Sequence, residues 1–372
     1  MTIRLLRVVA WTAGLGAAAA GIAFGYAWTT STNACDNAGR PAPVHPMKAI
    51  TYCDYGSTDG VRESDVERPV PGDSEVLIAV RAAAVNALDW HYVLGTPYFM
   101  RLGTGIRKPK VIRLGVDLSG TVEAVGKSVT TYKPGDEVFG TRTGAFAQYV
   151  TVREGGALAR KPPNVTFEQA AAVPVAAVTA LQGLRDHGQL RPGQKVLING
   201  ATGGVGTFAV QIAKAMGGSV TGVCSGRNAE LVRSLGADRT VDYATEDYTR
   251  TDERYDLIID NVGNRSLREN RRILAPQGRY VQIGGGGPND GKWIGPLGRL
   301  VSTRVMSWFG SQQLRMMLAS ANAADLSALA DLMASGKVTP AIDRQFPLAE
   351  APAAIRYVQE GRARAKVVIS LK

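Results

Sequence analysis

Lys195-Val196-Leu197-Ile198-Asn199-Gly200-Ala201-Thr202-Gly203-Gly204-Val205-Gly206, continuing through Thr207 to Met216, is the stretch that decides the fold. Its first five residues are a short apolar run bounded by Pro192-Gly193 and by glycine, which reads as a buried parallel strand. The glycines follow at once, and Thr207 to Met216 reads as helix. A strand, a glycine turn and a helix in that order form the setting in which glycine spacing signals a dinucleotide site. Glycine permits the tight turn, lets the backbone approach a pyrophosphate and lets the helix pack close to the strand. The helix start then offers free N–H groups and a positive dipole end to phosphate.

Working outward, the alternation continues. Ser219–Cys224 reads as strand, Ala229–Leu235 as helix, and Thr240–Asp242, Tyr255–Asp260 and Arg279–Ile283 as further strands. Alternating strand and helix implies an α/β fold with a doubly wound parallel sheet of Rossmann type. An NAD site places an acidic residue at the end of the second strand, where it bonds the ribose hydroxyls. Cys224-Ser225-Gly226-Arg227-Asn228 holds no carboxylate there. Ser225 can donate to a 2′-phosphate and Arg227 can pair with it, so the expected cofactor is NADPH.

The 372 residues suit two packed units. The formal charge of +11 is mostly dispersed; Arg107, Lys108, Lys110 and Arg113 cluster, as do Arg268, Arg271 and Arg272. Neither cluster is interleaved with aromatics or accompanied by a nucleic-acid motif, so nucleic acid is not an expected partner. A solvated basic surface and a membrane-facing patch remain. Cys35, Cys53 and Cys224 lie far apart with no CxxC spacing, which suggests neither a structural zinc nor a disulfide framework, and a reducing compartment.

Val8 to Trp28 carries no charge and follows Arg4 and Arg7, enough apolar chain to cross a bilayer as one hydrophobic N-terminal helix. A cleaved signal peptide fits the same pattern. The two arginines place the N-terminus inside, which would export the rest of the chain, away from a nicotinamide supply. A third reading treats residues 1–46 as an appendage before a first strand at Met47-Lys48-Ala49-Ile50. The expectation is a membrane-anchored protein whose catalytic domain is cytoplasmic, with a plain cytoplasmic protein as the alternative.

Asn199–Gly206, with Gln211 and Lys214 on the following helix, resembles the signature of quinone oxidoreductases in the medium-chain dehydrogenase/reductase superfamily. Gly115-Val116-Asp117-Leu118-Ser119-Gly120, Pro134-Gly135-Asp136-Glu137-Val138, Ala172-Val173-Pro174 and Ala365-Lys366-Val367-Val368 match further family patterns; Thr202 stands where a smaller residue is usual. The resemblance covers Met47 to Lys372. It implies a GroES-like catalytic domain over 47–171, completed by 336–372, with the Rossmann domain over 172–335 inserted, and a homodimer.

Zinc-dependent relatives supply a catalytic Cys, a Gly-His-Glu and four lobe cysteines, whereas this chain has Asn86, Gly115-Val116-Asp117 and no lobe. His45, His91 and His187 have no ligand partners in sequence, so no metal is expected. By resemblance, Asn86 and Asp89 shape the floor near the nicotinamide. Tyr98 is the expected proton donor, one residue past the usual spacing, with His91 and Tyr92 as competitors. The resemblance places Thr179, Gly203, Gly204, Val205, Gly206, Ser225, Arg227, Tyr243, Asn261, Val262, Ile283 and Gly284 on the cofactor, and Lys366 on its phosphates. Within Asp290–Met317, the stripe Leu297, Leu300, Val301, Val305 and Trp308 reads as a substrate lid, a dimer-facing segment or a membrane-surface helix. The function implied is NADPH-dependent hydride transfer to quinones or α,β-unsaturated carbonyls. The alternatives are an enoyl-thioester reductase and a non-catalytic, membrane-tethered NADPH-binding scaffold.

Overall fold

The computed structural model describes residues 32–36, 41–283 and 311–371, together with Thr303 and Met306. The run 8–28, the stripe from Leu297 to Trp308 and Gly284 lie outside the described residues. Among the described residues, no helix is long and apolar enough to cross a membrane.

The N-terminal part is β-rich: β1 (Pro46–Thr51), β2 (Arg62–Glu67), β3 (Glu75–Val85), β4 (Asp117–Val125), β5 (Glu137–Thr141), β6 (Tyr149–Arg153) and β7 (Leu158–Arg160). The middle carries β8 (Lys195–Asn199), β9 (Ser219–Cys224), β10 (Arg239–Asp242), β11 (Tyr255–Asp260), β12 (Leu274–Gln282) and β13 (Gln313–Met316). The chain then returns with β14 (Ile342–Pro347) and β15 (Lys366–Ser370). Three helices shape the site: α1 (Ala87–Leu94) after β3, α2 (Pro174–Gln182) between the sheets, and α3 (Gly204–Ala215) after β8.

Strands β8 to β13 form one six-stranded parallel sheet in the order β10-β9-β8-β11-β12-β13. Counted from β8 this is 3-2-1-4-5-6, the doubly wound order, with its switch point between β8 and β11. Covered on both faces, its strands are apolar nearly throughout; Val196, Leu197 and Ile198 of β8 are fully buried. Each such side chain contributes about 1.5–3 kcal/mol by leaving water.

The second sheet, β14-β15-β3-β4-β5-β7 with β6 also on β3, is antiparallel except for the parallel pair β14–β15. Its central partner, β15, comes from the far end of the chain: Val367 to Ser370 pair with Val85 to Ala82 of β3. Ile50, Ile78, Leu118, Phe146, Val367 and Ile369 share one apolar core there.

Three readings change. Helix α3 begins at Gly204 rather than Thr207, because poor helix propensity hides a start made of glycines. Strand β12 begins at Leu274 rather than Arg279; a register shift between Tyr255 and Leu257 accommodates Pro276 and Gly278, which interrupt the apolar run. The third is covalent. The cysteine spacing argued against a disulfide, yet Cys35 is bonded to Cys53 with Cα atoms 5.8 Å apart. The segment Asn33–Asp36 folds back against the residues after β1, where the Asn33 amide donates to the Cys53 carbonyl at 2.6 Å and Asp36 pairs with Lys108. Tertiary return, invisible in the spacing, makes the pair.

Candidate active site

The glycine turn is built for close approach. Gly200 has φ +79°, and a Cβ on Gly206 would meet the Gly200 carbonyl oxygen at 2.1 Å, so only glycine lets α3 start this close to β8. Gly203 caps α3 in an extended conformation, with Gly204, Val205 and Gly206 in the first turn, whose N–H groups lack intrahelical acceptors. Beside this cradle, the Asn228 amide donates to the Ser225 hydroxyl at 3.0 Å. The Arg227 guanidinium is exposed and takes no carboxylate partner among the described residues.

The other expected cofactor positions lie at the carboxyl ends of the parallel strands. Tyr243 follows β10 and is 56% exposed; Val262 follows β11 and is 43% exposed. The Asn261 amide donates to the Asn199 carbonyl at 2.9 Å, while its Oδ1 is buried with no partner among the described residues. Ile283 follows β12 and packs against Gly183, and the buried Thr179 hydroxyl on α2 donates to the Val175 carbonyl at 2.6 Å. An exposed apolar pair at strand ends, an orphaned acceptor and a cradle that a Cβ would fill together fit a nicotinamide dinucleotide.

Residues that sequence reasoning passed over support the Asn261–Gly263 turn from below. Asp260, fully buried at the end of β11, accepts from Val262 N, Gly263 N and the Asn199 amide through Oδ1. Its Oδ2 accepts the Tyr280 hydroxyl at 2.6 Å. The available signal was a carboxylate ending an apolar run, Leu257-Ile258-Ile259-Asp260.

The catalytic floor is a second polar cluster. Asn86 caps α1, and its backbone N–H donates to Asp89 Oδ2 at 2.7 Å. Asn86 Nδ2 donates to Asp117 Oδ2 at 3.0 Å and to the Ala84 carbonyl at 3.3 Å. Its Oδ1 accepts from the Lys366 ammonium at 2.6 Å. Lys366 also donates to the Val85 carbonyl at 3.2 Å and lies 3.5 Å from Asp117 Oδ2. Asp117 Oδ1 accepts from Val175 N, in the first turn of α2. Lys366, expected at the phosphates, therefore buries its charge at the floor. Two buried carboxylates demand a cation there, whereas the helix start already supplies positive potential at the cradle.

Asp89 and Asp117 are both 0% exposed and Lys366 is 3% exposed. Burial, reinforced by Asp117, pushes the Asp89 carboxyl up to about 7, against the Asn86 and Gly115 backbone N–H groups and the Lys366 charge, which lower it. Burial also raises Asp117 and lowers Lys366, each against the pull of its opposite charge.

The structure brings Asn86, Asp89 and Lys366 together but places Tyr98 in a different setting. Its ring lies 4.7 Å from the Arg101 guanidinium, which also faces Tyr55 at 4.5 Å. Arg101 Nε donates to the Gly95 carbonyl, fixing the loop that carries Tyr98. His91 stacks on Trp90, its Nδ1 is 2.6 Å from the Thr96 carbonyl, and burial lowers its pKa. A neutral ring donating through Nδ1 leaves Nε2 as an acceptor, which removes His91 from the donors. Tyr92 stays half-buried, with its phenol raised by burial and by Asp89.

A nucleotide cradle coupled to a buried polar floor on a second domain is the layout of a two-domain dehydrogenase or reductase. Residues 72–163 match the model described as alcohol dehydrogenase GroES-like domain, and residues 235–369 that described as zinc-binding dehydrogenase. Mouse mitochondrial NAD(P)H oxidoreductase RTN4IP1 is 34% identical over 80% of this chain and 82% of its own. The chloroplastic NADPH-dependent alkenal/one oxidoreductase of Arabidopsis thaliana is 32% identical over 87% and 79%. The solved quinone oxidoreductase from Coxiella burnetii superimposes with a TM-score of 0.76 at 28% identity, covering 88% of this chain and all of that one. The chain belongs to the medium-chain dehydrogenase/reductase superfamily, on its zinc-free, quinone oxidoreductase-like branch. Among the described residues, no group of three or more His, Cys, Asp or Glu is arranged to hold a metal ion.

Proposed function

We propose that this protein is an NADPH-dependent oxidoreductase that transfers hydride to quinones or α,β-unsaturated carbonyls without zinc. The observation that carries this reading is the pairing of a phosphate-competent cradle, with Arg227 taking no carboxylate among the described residues, and a floor of amide, carboxylate and ammonium. The names of the relatives, which speak of NAD(P)H, alkenals and enones, and quinones, support it.

Bound NADPH supplies the hydride. The first-turn N–H groups of Gly204, Val205 and Gly206 would hold the pyrophosphate, with Gly203, whose own N–H donates to the Gly200 carbonyl, turning the chain into them; Ser225 and Arg227 would hold the 2′-phosphate. Thr179, Tyr243, Asn261, Val262 and Ile283 border the rest of the cofactor. Asn86 and Asp89 form the floor; the resemblance makes the Tyr98 hydroxyl the donor of the proton that balances the added hydride, while Tyr92, close enough to Asp89 to be raised by it, is the competing donor that the geometry favours. Asn86 commits both ends of its amide to Asp117, Ala84 and Lys366, so it organises the floor rather than binding substrate. A membrane tether through residues 8–28 and a homodimer belong to the same proposal. The first rests on the uncharged run alone and the second on the family resemblance.

The test is oxidation of NADPH and NADH by the full chain, with EDTA present, over quinones, enals, enones and enoyl thioesters. EDTA-resistant turnover that favours NADPH is expected. Loss of activity to EDTA, or a preference for NADH, rejects the reading. Turnover confined to thioesters moves it to the enoyl-thioester alternative, and tight NADPH binding without turnover to the scaffold.

A further inference from the structure

We propose that Lys366 and Asp117 are positioning residues, a buried cross-domain latch that sets the catalytic floor against the cofactor cradle. This rests on the reading of Asn86–Asp89 as that floor.

Lys366 reaches both sides. Its predecessor Ala365 donates its N–H to the Thr202 carbonyl, in the glycine turn, at 2.7 Å. A Cβ added at Gly204 would lie 3.2 Å from Lys366 Cδ, so the side-chain stem runs beside the start of α3. The ammonium ends at Asn86 Oδ1 and the Val85 carbonyl on the catalytic domain. The backbone is held to this course: Ala365 has φ +69°, a region that disfavours a residue with a Cβ. Asp117 makes the reciprocal tie, binding Asn86 Nδ2 with one oxygen and Val175 N, at the start of α2, with the other. Helix α2 also carries Thr179. Both residues thus join the floor to elements that border the cofactor, and both orient the Asn86 amide.

The same charges act on Asp89, which faces Asp117 from β4, Lys366 from β15, Tyr52 after β1 and Tyr92 on its own helix. Asp117 favours its neutral form and Lys366 its charged form. Because the folded carboxyl titrates near 7 rather than near 3.8, folding favours protonated Asp89. Its contribution is fully present below the unfolded value and is lost as pH rises through about 7.

Asp117→Asn and Lys366→Met, made in the full chain, give opposite signs. In cofactor-free protein, the midpoint of Asp89 titration is read from its carboxyl 13C resonance, assigned with Asp89→Asn. It moves to lower pH in Asp117→Asn and to higher pH in Lys366→Met. NADPH affinity, from fluorescence titration, changes less than about threefold, while kcat falls more than about tenfold. A tenfold weaker affinity with unchanged kcat in Lys366→Met returns Lys366 to the phosphates and overturns the latch. Midpoints that stay put or move together overturn it as well. If Asp117→Asn fails to fold, Lys366→Met alone decides through the sign of its shift and the split between affinity and kcat. The titration and the affinity stand whether or not a substrate turns over, so failure of the reductase reading is seen separately.

Discussion

Arg227 stands on the one-turn helix after β9, exposed and without a carboxylate partner among the described residues, next to a Ser225 hydroxyl already ordered by Asn228. A charge-assisted bond from such a group to a phosphate is worth about 1.5–3 kcal/mol, less where water screens it. Arg227→Ala is therefore expected to raise KM for NADPH about tenfold and leave KM for NADH nearly unchanged. Equal changes with both cofactors would remove Arg227 from the 2′-phosphate. This residue was legible because it sits at a fixed offset from the glycines. The floor was only half legible: Asn86 and Asp89 are three residues apart on one turn of α1, but Lys366 meets Asn86 across 280 positions and Asp117 across 249. A lysine stem beside glycine carries no sequence mark that says which way its ammonium points.

Elements were readable in proportion to their periodicity. Strands β8, β9 and β11 have the limits that composition assigns, because a parallel strand covered on both faces is an unbroken apolar run with polar punctuation. The N-terminal strap Asn33–Asp36 shows the opposite case. It has no regular period; it is held by the Asn33 amide, the Asp36–Lys108 pair and the bond from Cys35 to Cys53. Closing a loop of 18 residues restricts the unfolded chain by about 3 kcal/mol in the entropic account. Thiol titration of the denatured, unreduced chain is expected to find one reactive cysteine, Cys224, and reduction to expose three. Reduction should also destabilise the protein by about 3 kcal/mol in chemical denaturation. Three free thiols before reduction would contradict the strap and restore the reducing compartment that the cysteine spacing suggested; a persistent bond matches an oxidising one.

At the scale of the whole molecule, the two sheets are joined by a chain that leaves the β-rich domain at β7, builds the parallel sheet and returns to pair β15 with β3. The return is set by the hydrophobic run Val367-Val368-Ile369, which is buried, and composition alone does not name its partner strand. The parallel sheet, by contrast, ends on one side at β13, a four-residue strand that pairs with β12. The last strand of a sheet is where a second copy can add on, and the homodimer that the family resemblance implies would join there. Self-pairing about a two-fold axis uses it in a closed assembly, since the same edge meets itself and no further surface is left to propagate. Sedimentation equilibrium of the full chain in detergent, with the detergent contribution subtracted, is therefore expected to give twice the 39.4 kDa chain mass. Met316→Pro, which removes a backbone donor that points away from β12 (the Met317 N–H is the one that bonds the Gln282 carbonyl), should lower that mass towards one chain. A single-chain mass for the unaltered protein would show that the β13 edge is not used in this way.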